Sequence, residues 1–106
     1  MENKIYDIDA VIKNEKQRYL NIKSQYEQQL LSYPRGSLVI RESNGRKYCY
    51  FKYRDGKKVI TKYAGTILKF DELNAQILER DRLIKEIKLL TTEIERIEKM
   101  ESIKQN

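Results

Sequence analysis

Histidine is absent from this 106-residue chain, which has a single cysteine, a single proline and four glycines. Without histidine, and with Cys49 as its only thiol, the chain lacks the usual zinc ligand sets and the usual pair of nucleophile and base. The glycines are isolated from one another, so no glycine-rich loop can cradle a phosphate. Only Tyr, Lys, Asp and Glu remain for proton transfer. We therefore expect no enzymatic activity, no metal, no cofactor and no small-molecule substrate.

Long hydrophobic runs are also missing. No stretch approaches the roughly 18 apolar residues that a transmembrane helix needs. The first residues, Met-Glu-Asn-Lys-Ile-Tyr-Asp, lack the apolar region of a secretion signal. One cysteine cannot form an internal disulfide framework. These features predict a cytoplasmic protein without a membrane partner.

Charge is abundant and unevenly distributed. The chain carries a net charge of +6, and residues 35–69 contain ten Lys or Arg and only two acids. Residues 1–34 are neutral, and residues 70–106 carry a net charge of −2. A basic middle segment is typical of proteins that bind nucleic acid or nucleoprotein. The length predicts one domain over residues 1–106.

The N-terminal third has the heptad spacing of a long helix. Apolar or aromatic residues fill seven of nine positions in an unbroken alternation of three and four residues. The nine positions are Ile5, Ile8, Ile12, Glu15, Tyr19, Ile22, Tyr26, Gln29 and Tyr33. Asp7 is suited to cap the helix, and Pro34 to end it. This predicts a first helix over residues 5–33.

The C-terminal third predicts a second helix over residues 68–100. Its apolar stripe is Phe70, Leu73, Ile77, Leu83, Ile84, Ile87, Leu90, Ile94 and Ile97. The two helices are close in length, and the middle segment returns the chain to a point near the end of the first helix. We therefore expect a long, antiparallel, coiled-coil-like helical hairpin, with Tyr33 near Phe70 and Ile5 near Ile97 or Glu98. Such a stalk buries little, so we expect a homodimer formed through the helices.

Between the helices, Asn44-Gly45 and Asp55-Gly56 are strong signals for type I′ hairpin turns. They divide the segment into three antiparallel strands, at residues 37–43, 46–54 and 57–63. The first hairpin would pair Arg41 with Tyr48, Val39 with Tyr50, and Leu38 with Phe51. The second would pair Arg54 with Lys57, Lys52 with Val59, Tyr50 with Thr61, and Tyr48 with Tyr63. The predicted fold is therefore α+β, with a β-meander over residues 37–63 inserted at the tip of the hairpin.

Alternation along the strands sorts the meander into two faces. The apolar face collects Leu38, Ile40, Cys49, Phe51, Tyr53 and Ile60, and we expect the helices to cover it. The other face collects Val39, Arg41, Tyr48, Tyr50, Lys52, Arg54, Val59, Thr61 and Tyr63. Cations can neutralise phosphates and tyrosine rings can stack on unpaired bases. The predicted partner-binding residues are Arg41, Arg46, Lys47, Tyr48, Tyr50, Lys52, Arg54, Lys57, Lys58, Lys62 and Tyr63.

Other interpretations of this surface stay open. Tyr and Lys also suit half-exposed strands, where Lys discourages edge-to-edge aggregation. A basic surface can equally meet an acidic protein. The chain could also be an oligomerisation or scaffold module of a mobile element, with a solvated tip that contacts no nucleic acid.

The middle segment resembles a group of small, mostly uncharacterised proteins from phages and mobile elements. Their pattern is a Pro-Gly-Ser entry, a Tyr-x-Tyr strand, Tyr-Arg-x-Gly-Lys at the turn, Lys-Tyr-x-Gly at the exit, and a helix rich in Glu, Lys and Leu. The matching residues are Pro34, Gly36, Ser37, Tyr48, Tyr50, Tyr53, Arg54, Gly56, Lys57, Lys62, Tyr63 and Gly65. The resemblance covers about a third of the chain closely. Similar hairpins at the ends of transposases and integrases contact DNA.

In size, charge and lack of catalytic residues the chain also resembles anti-CRISPR proteins in type. This second resemblance implies an inhibitor of a CRISPR–Cas or other defence nuclease. Such an inhibitor would act by occupying a nucleic-acid or protein surface.

Overall fold

The computed structural model describes residues 7–104 and has the predicted α+β composition. Helix α1 spans Ile8–Leu30, and three strands follow: β1 at Ser37–Ser43, β2 at Arg46–Asp55 and β3 at Lys58–Thr66. A 3₁₀ turn at Ile67–Lys69 leads directly into helix α2 at Phe70–Lys104. The strands form one antiparallel sheet in the order β1-β2-β3.

Helix α1 begins at Ile8, directly after Asp7, the residue predicted to cap it. The Asp7 carboxylate accepts a hydrogen bond of 3.0 Å from the backbone N–H of Asp9, which satisfies one of the unpaired donors of the first turn. The predicted range of 5–33 is too long at its C-terminal end, because the helix stops at Leu30. A backbone hydrogen bond of 3.2 Å from Tyr33 N to Leu30 O closes a turn there. The first two predicted residues lie outside the described part of the chain.

Helix α2 is longer than predicted. The predicted range was 68–100, whereas the helix begins at Phe70 and continues to Lys104. Its first turn contains Asp71 and Glu72, where the helix dipole favours negative charge. Within residues 7–104, no helix is long and apolar enough to cross a membrane.

The first hairpin has the predicted register. Arg41 pairs with Tyr48, Val39 with Tyr50, and Leu38 with Phe51. Asn44 and Gly45 take φ values of 52° and 75°, and a type I′ turn needs positive φ at both of these positions.

The predicted register of the second hairpin is wrong by two residues. Asp55 pairs with Lys58, so the turn residues are Gly56 and Lys57 rather than Asp55 and Gly56. Gly56 has a φ of 62° while Lys57 does not have positive φ, the pattern of a type II′ turn with glycine in its first central position. The observed pairs are Arg54 with Val59, Lys52 with Thr61, Tyr50 with Tyr63, and Tyr48 with Thr66.

A β-bulge interrupts the second hairpin near its open end. Tyr50 pairs with Tyr63 but Cys49 pairs with Gly65, so Ala64 is the extra residue on β3. After the bulge the pairing continues, so β3 ends at Thr66 rather than at its predicted end, residue 63.

The chain divides into two compact units. One is built from the described part of Met1–Gln29 and Ile84–Asn106, and the other from Leu30–Leu83. In the first unit, Lys16 Nζ on α1 lies 3.7 Å from Glu98 Oε1 and 3.2 Å from Glu101 Oε1 on α2. The prediction placed Ile5 beside this part of α2, and Ile5 lies outside the described residues.

The buried side chains are few. In α1, no side chain of Ile8–Leu30 is buried. In α2, Leu83 is fully buried and Leu73, Ile94 and Ile97 are at most 9% exposed. In the sheet, Cys49 is fully buried, and its thiol lies 3.7 Å from the carbonyl oxygen of Thr66.

Candidate nucleic-acid interface

The register of the sheet defines two faces. Residues paired across antiparallel strands point to the same side, and alternate pairs point to opposite sides. We call one side the tyrosine face: Ser37, Val39, Arg41, Ser43, Arg46, Tyr48, Tyr50, Lys52, Arg54, Val59, Thr61, Tyr63 and Thr66. The opposite face holds Leu38, Ile40, Glu42, Lys47, Cys49, Phe51, Tyr53, Asp55, Lys58, Ile60, Lys62 and Gly65. A register change of two residues preserves the face of every residue, so the predicted faces hold despite the wrong pairs.

The charges are segregated between the two faces. The tyrosine face carries four cations, all with exposed side chains: Arg41, Arg46, Lys52 and Arg54. Both acids of the sheet lie on the opposite face, where Glu42 pairs with Lys47 and Asp55 pairs with Lys58. Within residues 37–66, all of which the structure describes, the tyrosine face therefore has no acidic residue.

Three tyrosine rings meet on this face. The ring centroids of Tyr50 and Tyr63 are 5.6 Å apart in an edge-to-face arrangement, and those of Tyr48 and Tyr63 are 6.2 Å apart with the planes tilted by 55°. Tyr63 is 59% exposed, whereas Tyr48 and Tyr50 are half-buried. The rings thus form one packed cluster instead of three separate platforms, and Tyr63 offers the most open surface.

Arg41 packs against this cluster. Its guanidinium carbon lies 5.4 Å from the centroid of the Tyr50 ring, within the range of a cation–π contact. The contact holds the guanidinium beside the rings while its side chain remains exposed. A planar guanidinium in this position can form paired hydrogen bonds to a phosphate.

Four predicted site residues do not lie on the tyrosine face. Lys47, Lys58 and Lys62 lie on the opposite face, and Lys57 lies in the turn between β2 and β3. The sequence alone could have excluded Lys62 from the tyrosine face, because side chains alternate along a strand and Lys62 lies between Thr61 and Tyr63.

The predicted apolar residues of the opposite face are more exposed to solvent than expected. Of the six residues expected to form an apolar floor under the helices, only Cys49 is buried. Ile40 is 46% exposed, and Leu38, Phe51, Tyr53 and Ile60 are half-buried.

A second basic and aromatic cluster lies on this opposite face. The Arg35 guanidinium carbon is 4.9 Å from the centroid of the Tyr53 ring, and Lys62 Nζ is 5.7 Å from it. Together with Pro34 and Phe51 they line a cleft of about 260 Å³. Arg35 Nη2 also donates a hydrogen bond of 3.5 Å to the carbonyl oxygen of Arg54. The sequence prediction placed Tyr53 on the apolar face but did not place Arg35 beside it, because Arg35 precedes the first strand and periodicity gives no information there.

A larger cleft of about 430 Å³ lies at the other end of the sheet. Its lining comes from the turn between β1 and β2, the start of β2, and the end of β3 with the 3₁₀ turn. The lining residues are Gly45, Arg46, Lys47, Tyr48, Thr66, Ile67 and Leu68. Three of them, Thr66, Ile67 and Leu68, fall beyond the predicted last strand, so the sequence prediction missed this cleft.

Within residues 7–104, no group of three or more Cys, Asp and Glu side chains is arranged to hold a metal ion. The single thiol, on Cys49, is fully buried. Exposed cations and a cluster of tyrosine rings distinguish the tyrosine face from the opposite face.

Comparison of the chain with known protein families, with curated proteins and with solved structures finds no match in any of the three.

Proposed function

We propose that this protein is a non-enzymatic binder that contacts nucleic acid, or a nucleoprotein complex, through the tyrosine face of its sheet. One observation carries the proposal: the face presents four exposed cations and a tyrosine cluster, whereas both acids of the sheet lie on the other side. A face that carries positive charges and no negative ones attracts a polyanion along its whole length.

The roles of the side chains follow from their chemistry. Arg41, Lys52 and Arg54 contact phosphates, which releases the counterions condensed on the strand. Tyr63 stacks on a base, because its ring is the most open of the three. Tyr48 and Tyr50 support Tyr63 through the tilted and edge-to-face ring contacts.

The test is a titration of labelled single- and double-stranded oligonucleotides across a salt series. If all four cations of the tyrosine face contact phosphates, the slope of log K against log salt is about −2.8 for a single strand. The affinity then falls about 50-fold between 50 and 200 mM salt. An absence of binding at 50 mM, or an affinity that does not change with salt, would refute direct contact with nucleic acid.

A specific form of this function is inhibition of a CRISPR–Cas or other defence nuclease by a phage-type protein. The tyrosine face would then cover a nuclease complex loaded with nucleic acid, or dock on an acidic patch of the nuclease. The triple variant Arg41→Glu, Lys52→Glu and Arg54→Glu tests this form. We expect it to abolish inhibition of the nuclease, and unchanged inhibition would refute it.

The second candidate function is a scaffold built on the helices, in which α1 and α2 form a helical hairpin with the meander at its tip and two chains form a homodimer. It is supported by α1, which has no buried side chain although it presents Ile8, Val11 and Leu20 at exposures of 61%, 42% and 37%. A helix with this much open apolar surface gains stability from a partner. Small-angle scattering at tens of micromolar gives the mass, and a mass of one chain would exclude the homodimer.

A further inference from the structure

The cleft beside the turn between β1 and β2 continues the tyrosine face. Tyr48 lines the cleft and also contacts the ring of Tyr63. Thr66 pairs with Tyr48 across the strands and lies on the same face. A strand bound along the tyrosine face therefore reaches the mouth of the cleft at Tyr48.

The walls of the cleft combine apolar and cationic groups. Ile67 and Leu68 form the apolar wall, and Leu68 is 92% exposed, so its side chain is open to contact by a ligand. Arg46 and Lys47 also line the cleft and supply positive charge, and no acidic residue lines it. Thr66 adds a hydroxyl that makes no side-chain hydrogen bond to cap the 3₁₀ turn.

This combination fits a nucleobase. A base is a flat, mostly apolar ring with hydrogen-bonding edges, and it is joined to a phosphate. The apolar wall and the Tyr48 ring suit the faces of such a ring, and the Thr66 hydroxyl can donate to or accept from its edge. Arg46 and Lys47 suit the attached phosphate. The volume of about 430 Å³ lies within the usual range for small-ligand sites.

We propose that this cleft receives one unpaired base of a strand bound on the tyrosine face, so that the ligand is single-stranded nucleic acid. The inference rests on the proposed function. It adds to that function a second contact site and the statement that the bound nucleic acid is single-stranded. A base in a duplex is stacked and paired, and its extrusion costs a few kcal/mol. Charge alone would favour the duplex, because its phosphates are more densely spaced and its counterion release is larger. A preference for single strands must therefore come from the bases.

The experiment compares three ligands of equal length at 50 mM salt by fluorescence anisotropy. They are a twelve-nucleotide thymidine strand, its duplex with the complementary strand, and a twelve-unit strand of abasic deoxyribose phosphates. We expect the thymidine strand to bind at least tenfold more tightly than each of the other two. Equal affinity for the thymidine and abasic strands would overturn the inference while leaving phosphate contact on the tyrosine face in place.

A pair of leucine variants locates the base. Leu68→Ala removes the exposed wall of the cleft, and Leu78→Ala is its matched control, since Leu78 is 61% exposed on α2 and does not line the cleft. We expect Leu68→Ala to weaken binding of the thymidine strand about fivefold and to leave binding of the abasic strand unchanged. If both variants bind the thymidine strand equally, the base lies elsewhere and the inference is wrong. If no ligand binds the wild-type protein, the proposed function fails as well.

Discussion

The double variant Lys52→Gln/Arg54→Gln removes half of the positive charge of the tyrosine face. Both side chains are exposed and both residues lie on β2, the central strand of the sheet. Glutamine is shorter but also polar, and both positions are exposed, so the fold should persist. The change therefore isolates the contribution of charge on this face to the binding of nucleic acid.

The expected magnitude follows from counterion release. Each cation that contacts a phosphate contributes about 0.7 to the salt slope of single-strand binding, so the slope falls from about −2.8 to about −1.4. If the variant and the wild-type protein bind equally at about 1 M salt, the same relation predicts that the variant binds about 60-fold more weakly at 50 mM salt. At 200 mM salt the predicted loss is about tenfold.

The matched control is Lys58→Gln/Lys62→Gln, which removes the same net charge from the opposite face. Both double variants are titrated with a labelled single strand from 50 to 200 mM salt, after circular dichroism shows that they are folded. We expect the control to keep the wild-type slope, because its lysines do not touch the strand. Equal losses in the two variants would mean that binding responds to net charge alone, and the assignment of the tyrosine face would be wrong.

Three further changes test separate parts of the molecule. Gly36→Ala should destabilise the fold by about 3 kcal/mol or more in thermal unfolding, because Gly36 has a φ of 92° and a Cβ there would collide with the neighbouring strand. Gly45→Ala, whose Cβ would meet no atom within 4 Å, should cost about 1–2 kcal/mol, and equal costs would contradict the reasoning. Tyr63→Leu should weaken single-strand binding by about 1–3 kcal/mol, or roughly 5- to 150-fold, whereas Tyr26→Leu on α1 should leave the affinity unchanged. Val11→Lys should reduce the dimer fraction in sedimentation if the helices self-associate, and an unchanged fraction would place the dimer contact elsewhere.

The first hairpin could be predicted residue by residue because Asn-Gly strongly favours a type I′ turn. The second could not, since Asp-Gly-Lys-Lys allows glycine in either central position of a two-residue turn. The structure uses Gly56 as the first central residue, which slides β3 by two residues. The faces survive this slide because side chains alternate with a period of two. An isolated glycine such as Gly65 can mark a bulge, but it does not by itself place the extra residue at Ala64 or the end of β3 at Thr66.

In the helices, too, features set by neighbouring residues could be predicted, whereas contacts between residues far apart in the sequence could not. Capping by Asp7 depends on adjacent residues and could be predicted. The contacts of Lys16 with Glu98 and Glu101 depend on how much of α2 lies beside the first helix. The sequence does not record these contacts, because counting back from a shared tip assumes that the whole of α2 pairs with α1.

The candidate site was predictable as a charge imbalance and as two faces of a sheet, but not in its packing. The sequence locates ten cations in residues 35–69. The register then divides them, with four on the tyrosine face and Lys47, Lys58 and Lys62 on the opposite face. The packing of the tyrosine rings against one another, and the cleft that Leu68 lines, depend on tertiary contacts that no local pattern records.

The most direct measurement follows the tyrosine ring signals by NMR in protein labelled with ¹³C at tyrosine, during titration with a thymidine strand at 50 mM salt. Tyr63 and Tyr48 lie on the tyrosine face, and Tyr53 on the opposite face is an internal control. We predict that the ring signals of Tyr63 and Tyr48 shift with added strand and that those of Tyr53 stay in place. Shifts of Tyr53 alone, or unchanged signals for all three rings, would contradict the assignment of the tyrosine face as the nucleic-acid contact.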